Sequence, residues 1–248
     1  MTRPAEMARP AGTPRPVPVT AQWTALWLAG VFGLVLLGAF VAFPGFLPPM
    51  SPRMSAAQVA AFYRDDTAMI RFSMILFDIC GVMLVPFAMV IAVQMKRMAT
   101  PTTVLAYCYL SAAASGATLF ALADLLWLAA AFRPARDPQL ILLVNDLAWM
   151  VFTAPVGTVV VQNLCLALAV RLDAGPRPVF PRWVAPFSVV TGLAMVPAAG
   201  GAVVTSGPLA WDGAVSFWLR IAAYGVFFAG MFCVLPGAIR RQAAEEAA

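Results

Sequence analysis

Residues 105–169 read LAYCYLSAAASGATLFALADLLWLAAAFRPARDPQLILLVNDLAWMVFTAPVGTVVVQNLCLALA, two long apolar runs on either side of Phe132-Arg-Pro-Ala-Arg-Asp-Pro138. Each run exceeds the roughly 20 residues that a helix needs to cross a hydrocarbon core. A short turn rich in Arg and Pro joins them, so the stretch is a transmembrane helical hairpin. The same short word stands in both arms, Asp124-Leu-Leu-Trp127 going up and Asp146-Leu-Ala-Trp149 coming down. Both carboxylates lie about 15 Å from the tip at the helical rise. Ionisable groups at matching depth inside apolar helices are costly, and they mark a functional site by default.

The rest of the chain has the same character. Of its 248 residues, 62% are hydrophobic and 11% charged, against roughly 45–50% and 25% in soluble domains. Mean hydropathy is +0.86. So much apolar surface requires lipid as its solvent, and lipid contact requires every backbone polar group to be satisfied internally. Long unbroken runs, without the alternation of a membrane barrel, predict an all-α polytopic bundle. The net charge of +5 comes from basic residues placed singly or in pairs at the ends of apolar runs. That is a topology signal, and no nucleic-acid partner is expected.

The chain has no His. This excludes a His-ligated metal or haem and a His general base. Cys80, Cys108, Cys165 and Cys233 each sit inside an apolar run with no CxxC spacing, so neither a disulfide framework nor a metal or other cofactor is expected. Paired carboxylates can perform acid–base chemistry, but with no Ser nucleophile motif an enzyme is the less favoured class, and no catalytic residue is assigned.

Outward from the hairpin, six spans are predicted at about 23–43, 69–94, 104–132, 140–170, 183–204 and 214–235. Residues 1–20, rich in Pro, Ala and Arg, are expected to form a disordered cytoplasmic tail, and 239–248 a second short tail. Between the first two spans, Ser55 and Gln58 have capping-box spacing and open a short extracytoplasmic surface helix, Ala56 to about Asp66, with Val59, Phe62 and Tyr63 on its apolar side. Pro86 lies deep in span two, and Pro155 and Pro197 interrupt spans four and five.

Lys and Arg count ten on the side of the two termini against four on the other. The positive-inside rule then puts both termini in the cytoplasm and the chain in the cytoplasmic (inner) cell membrane. Trp183 is expected at the inner interface, and Trp127, Trp211 and Trp218 in an outer aromatic belt.

This topology gathers the intramembrane charges. Arg71, Asp78, Asp124, Asp146 and Arg220 all fall in the outer half, roughly 3–14 Å below the surface. Arg71 is shallow enough to snorkel, Arg220 is expected to pair with an Asp, and Tyr224 shares the Arg220 face. A second polar group surrounds the break in span four: Thr153, Thr158, Gln162 and Asn163. Together they predict an outward-opening polar pocket that binds or transports a small solute or ion. The alternative is a non-catalytic partner or scaffold subunit that meets another membrane protein or its own copy through small residues, with Gly30, Gly33 and Gly38 as the candidate face.

Overall fold

The computed structural model describes residues 19–247. Most of the tail expected over residues 1–20 therefore lies outside the described residues. Six helical stretches are long and apolar enough to cross a membrane: Thr20–Ala42, Thr67–Lys96, Val104–Phe132, Pro138–Leu172, Val184–Ala202 and Ala214–Ala247. The protein is an all-α, multi-pass membrane bundle.

The first span is α1 (Thr20–Ala42) and the helix after it α2 (Ala56–Asp65). Ser55 caps α2, its hydroxyl accepting from the Gln58 N–H while the Gln58 side chain accepts from the Ser55 N–H. The second span is divided into α3 (Thr67–Val82) and α4 (Leu84–Lys96). The break falls three residues before Pro86, where the Met83 N–H turns back to the Cys80 carbonyl. An interior proline removes a backbone donor and clashes with the preceding turn, which places the break there.

The third span is unbroken, α5 (Val104–Phe132). The fourth is α6 (Pro138–Thr153) and α7 (Gly157–Leu172), divided at Pro155. The fifth, α8 (Val184–Met195), tightens into a 3-10 turn over Val196–Ala202, which contains Pro197. The sixth opens with a π-helical turn, Ala214–Leu219, and continues as α9 (Arg220–Ala247). Pro236 does not end α9, and residues 239–247, expected as a polar tail, are its last turns.

Those turns are held by side chains. Gln22, Gln94 and Gln242 come from three helices and are all buried. The Gln94 amide donates to Gln22 at 2.7 Å and to Gln242 at 2.9 Å, and the Gln22 amide donates to Gln242 at 2.9 Å. Arg97 donates to Gln94 at 2.6 Å and pairs with Glu245. Polar groups in an apolar bundle need internal partners, and this cluster extends α9 to reach them.

Helix α5 is the hub, packed against α3, α4, α6 and α7, while α1 lies on α3 and α4 and α8 bridges α7 and α9. Two apolar cores divide the bundle along its axis. The one remote from α2 is aliphatic in character and includes Leu26, Ile91, Leu166 and Leu235. The one at the α2 end is aromatic, with Phe43, Phe46, Phe77, Trp127, Trp149 and Phe217. Large apolar side chains such as Leu34 and Val190 face outward, as contact with lipid acyl chains requires.

Two expectations are corrected. Gly30 and Gly33 are not a free small-residue face, since they lie against Phe232 and Phe228 of α9, and Gly38 alone of the three has open space beside it. The aromatic belt reduces to Trp183 and Trp218, which are exposed, because Trp127 and Trp211 are buried. The inward face of α5 passes through Trp127, and the indole N–H of Trp211 donates to the Met50 carbonyl at 2.8 Å.

A candidate site among unpartnered groups at the α2 end

The register of α3 against α5 places two carboxylates at one level. The Arg71 guanidinium donates to the Ala131 carbonyl from Nε at 3.2 Å and from Nη2 at 2.9 Å, and from Nη2 to Phe132 at 3.0 Å. Farther along the pair, Gly81 lets α3 close on α5, since a methyl group there would run into the Phe120 ring. Between these two fixed points, Asp78 is seven residues from Arg71 and Asp124 is seven from Ala131. In an antiparallel pair both therefore lie about 10 Å from the clamp. Asp78 is half-buried and Asp124 fully buried.

Neither oxygen of Asp124 has a hydrogen-bond partner. The indole N–H groups of Trp127, one turn on, and of Trp149 across on α6 are also buried without acceptors, as is the Ser73 hydroxyl of α3. The two indoles are 5.2 Å apart, edge to face. Buried polar groups are nearly always hydrogen-bonded in folded proteins, so four such groups on three neighbouring helices form an exception that needs a cause.

Arg220 was expected to pair with an Asp, and it does not. Its guanidinium lies over the Phe152 ring at 4.4 Å, one of its nitrogens is buried without a partner, and the one ion pair among the described residues is Arg97–Glu245. The ring quadrupole attracts the cation without neutralising it. Tyr224 shares the Arg220 side of α9, lies close to Arg220 and is 40% exposed. Arg71 is spent on the end of α5, where a cation meets the negative pole of the helix.

Asp146 is half-buried beside Asn145, which accepts from the Tyr63 hydroxyl of α2 at 3.0 Å. Burial, and after it the neighbouring Asp146 carboxylate, raise the pKa of the Tyr63 phenol, so Tyr63 remains a donor. Helix α2 is thereby docked on α6 by a buried side chain as well as by its apolar face.

Three of the four polar side chains at the break in the fourth span bond within the protein. Thr153 donates to the Trp149 carbonyl at 2.7 Å and Thr158 to Pro155 at 3.2 Å. Asn163 donates to Val159 at 2.9 Å and accepts from Thr191 of α8 at 3.2 Å. Local side chains thus satisfy the kink, as they do in many proline-broken membrane helices. Gln162 is half-buried one residue before Asn163, apart from the Asp78–Asp124 level.

Sequence reasoning missed Ser73, Trp127, Trp149 and Phe46. The signal for the two Trp residues was the repeated Asp-Leu-x-Trp word itself, since residues three apart share a helix face. Phe46 gave no such signal. It belongs to the connection between α1 and α2, yet its ring is 1% exposed, stacked on Trp149 at 5.5 Å and against Phe217 and Phe152 at 5.4 Å each.

Two shallow clefts of the described surface lie elsewhere. One, of about 380 Å³, runs along α1 past Trp23, Trp27 and Val31, and the other, of about 280 Å³, lies between Leu125, Phe132 and Arg136. The unpartnered groups are enclosed, and Phe46 is packed among them. Comparison with protein-family models, with curated proteins and with solved structures finds no match for this chain.

Proposed function

We propose that the protein binds or translocates a small solute or ion through the α2 end of the bundle, and that the enclosed geometry is its occluded state. Asp124 is the observation that carries this reading. A carboxylate kept only for stability would be expected to have a partner, because removing two charges from water is recovered only by close pairing and further hydrogen bonds. Asp124 has neither an ion pair nor a hydrogen bond. A costly group that does nothing for the resting fold is retained for another state, one in which a ligand, a cation or a proton meets it.

By the charge bias of the loops, the α2 end faces away from the cytoplasm and both termini face it, in the cytoplasmic membrane. The site then opens outward. The scaffold alternative loses its main support, since two of the three candidate glycines are covered by the protein's own α9.

The test is a thermal-shift panel on detergent-purified protein, with small cations, amines, amino acids and sugars as solutes. Wild type should gain melting temperature with at least one of them, by linkage of binding to folding. Asp124→Asn should lose that gain while melting no lower than wild type. An Asp124→Asn variant that answers every solute as wild type does would sink the reading.

A further inference from the structure

Phe46 occupies a space whose walls belong to other segments. Phe40 of α1, Phe77 of α3, Trp127 of α5, Trp149 and Phe152 of α6, and Phe217 of the π-helical turn surround it at ring separations of 4.5–6.1 Å. Those walls stand in five spans and do not depend on the loop. Phe46 itself sits between Phe43 and Ser55, a stretch without regular helix or strand. That stretch is held to the bundle by the Trp211 hydrogen bond to Met50, and it turns at Gly45, where φ is +77°. Apart from the buried Phe43, Phe46 and Met50, its residues are half-buried or exposed.

The occupant does not suit its surroundings. A phenyl ring offers no acceptor to the Trp127 and Trp149 N–H groups and no charge to Asp124. The formal charge left over at this end is negative. Asp78, Asp124 and Asp146 outnumber Arg220 within the spans, while Arg71 is engaged by the α5 carbonyls. Aromatic walls with excess carboxylate select a cation with an apolar, flat body.

We infer that Phe46 is a displaceable stand-in for an aromatic organic cation, which stacks on Trp149, presents its charge to Asp124 and accepts from the indole N–H groups where it carries an acceptor. This rests on the solute-site reading above and narrows it to one chemical class.

The probes are the methylquinolinium cation and its neutral isostere methylnaphthalene, with binding read as saturable quenching of tryptophan fluorescence. Removing Phe46 removes the competition that leaves the open site a minor state, so Phe46→Ala should bind methylquinolinium about ten-fold more tightly than wild type. Methylnaphthalene should gain less, and adding Asp124→Asn should erase the difference between the two probes. Equal gains for cation and isostere would overturn the inference. A measurement on wild type stands independently of how the variants fold: saturating methylquinolinium should speed amide exchange over residues 43–54 as Phe46 leaves, and unchanged exchange would also overturn it. If these tests fail while another solute still stabilises the protein through Asp124, the narrower class falls and the broader function stands. If no solute acts through Asp124, both fall.

Discussion

Arg71 closes on Ala131 with two nitrogens, at 2.9 and 3.2 Å, and so ties the start of α3 to the last turn of α5. The end of a helix leaves carbonyls without intrahelical partners, and here a neighbouring helix supplies the donors. Charge-assisted hydrogen bonds of this kind contribute about 1.5–3 kcal/mol each when buried and less where water competes. Arg71→Ala should therefore destabilise the protein by roughly 1–2 kcal/mol. Arg71→Lys should recover only part of that, because an ammonium lacks the planar fork. Thermal melts in one detergent check both variants. Equal melting temperatures for wild type and Arg71→Ala would show that the clamp contributes nothing.

The other fixed point of the α3–α5 pair is Gly81. Phe120 packs where a side chain would go, and it is itself confined by Phe40, Phe77 and Phe152. Overpacking a confined site costs about 1–3 kcal/mol, so Gly81→Ala should be destabilising by that order. Adding Phe120→Leu should restore most of the loss, because it vacates the space that the new methyl group takes. A double variant no more stable than Gly81→Ala alone would show that backbone effects, not Phe120, set the cost.

Helix α2 depends on one buried polar contact. Tyr63→Phe removes the hydroxyl that donates to Asn145 and leaves the Asn145 acceptor buried and unmet, at a cost of about 1–3 kcal/mol. Because the contact joins α2 to α6, the effect should be local, with faster amide exchange across residues 56–65 and little change in α8 or α9. A uniform rise in exchange across the bundle would contradict this.

The spans were legible because apolar length alone decides them. The starts of α5 and of the π-helical turn agree with the predicted span limits, and the capping box at Ser55 and Gln58 is as its spacing implied. The shared level of Asp78 and Asp124 was legible for the same reason, since the helical rise converts residue count into distance along a helix pair. Facing was not. A helix in lipid is apolar on every side, so its sequence carries little periodic signal for which face turns inward. Trp127 was therefore assigned to the interface although it is fully buried. Pairing failed differently. Arg220 found an aromatic face and Arg71 found carbonyls, and carbonyls and rings are too common for composition to single out. The glutamine cluster joins residues 220 positions apart, a meeting that only the packed bundle produces. The insertion of Phe46 was equally hidden, because a connection with several prolines has no period to read.

Two buried aspartates should answer opposite ways to the same isosteric change. Asp173 accepts from the N–H groups of Ala99 and Gly175 at 3.0 and 3.2 Å with one oxygen, and from Val179 at 3.0 Å with the other. It fixes two loops at the end of the bundle remote from α2. Asp173→Asn turns one accepting oxygen into a donor facing an N–H, and it should cost about 2–4 kcal/mol through lost and repulsive contacts. Asp124 has no partner to lose. Asp124→Asn exchanges an unpartnered carboxyl for an amide of the same shape and breaks no contact, so its melting temperature should equal or exceed that of wild type. The two variants melted side by side in one detergent form an internal control. If Asp124→Asn fell as far as Asp173→Asn, the carboxylate would have a stabilising partner, and its retention would no longer call for a ligand.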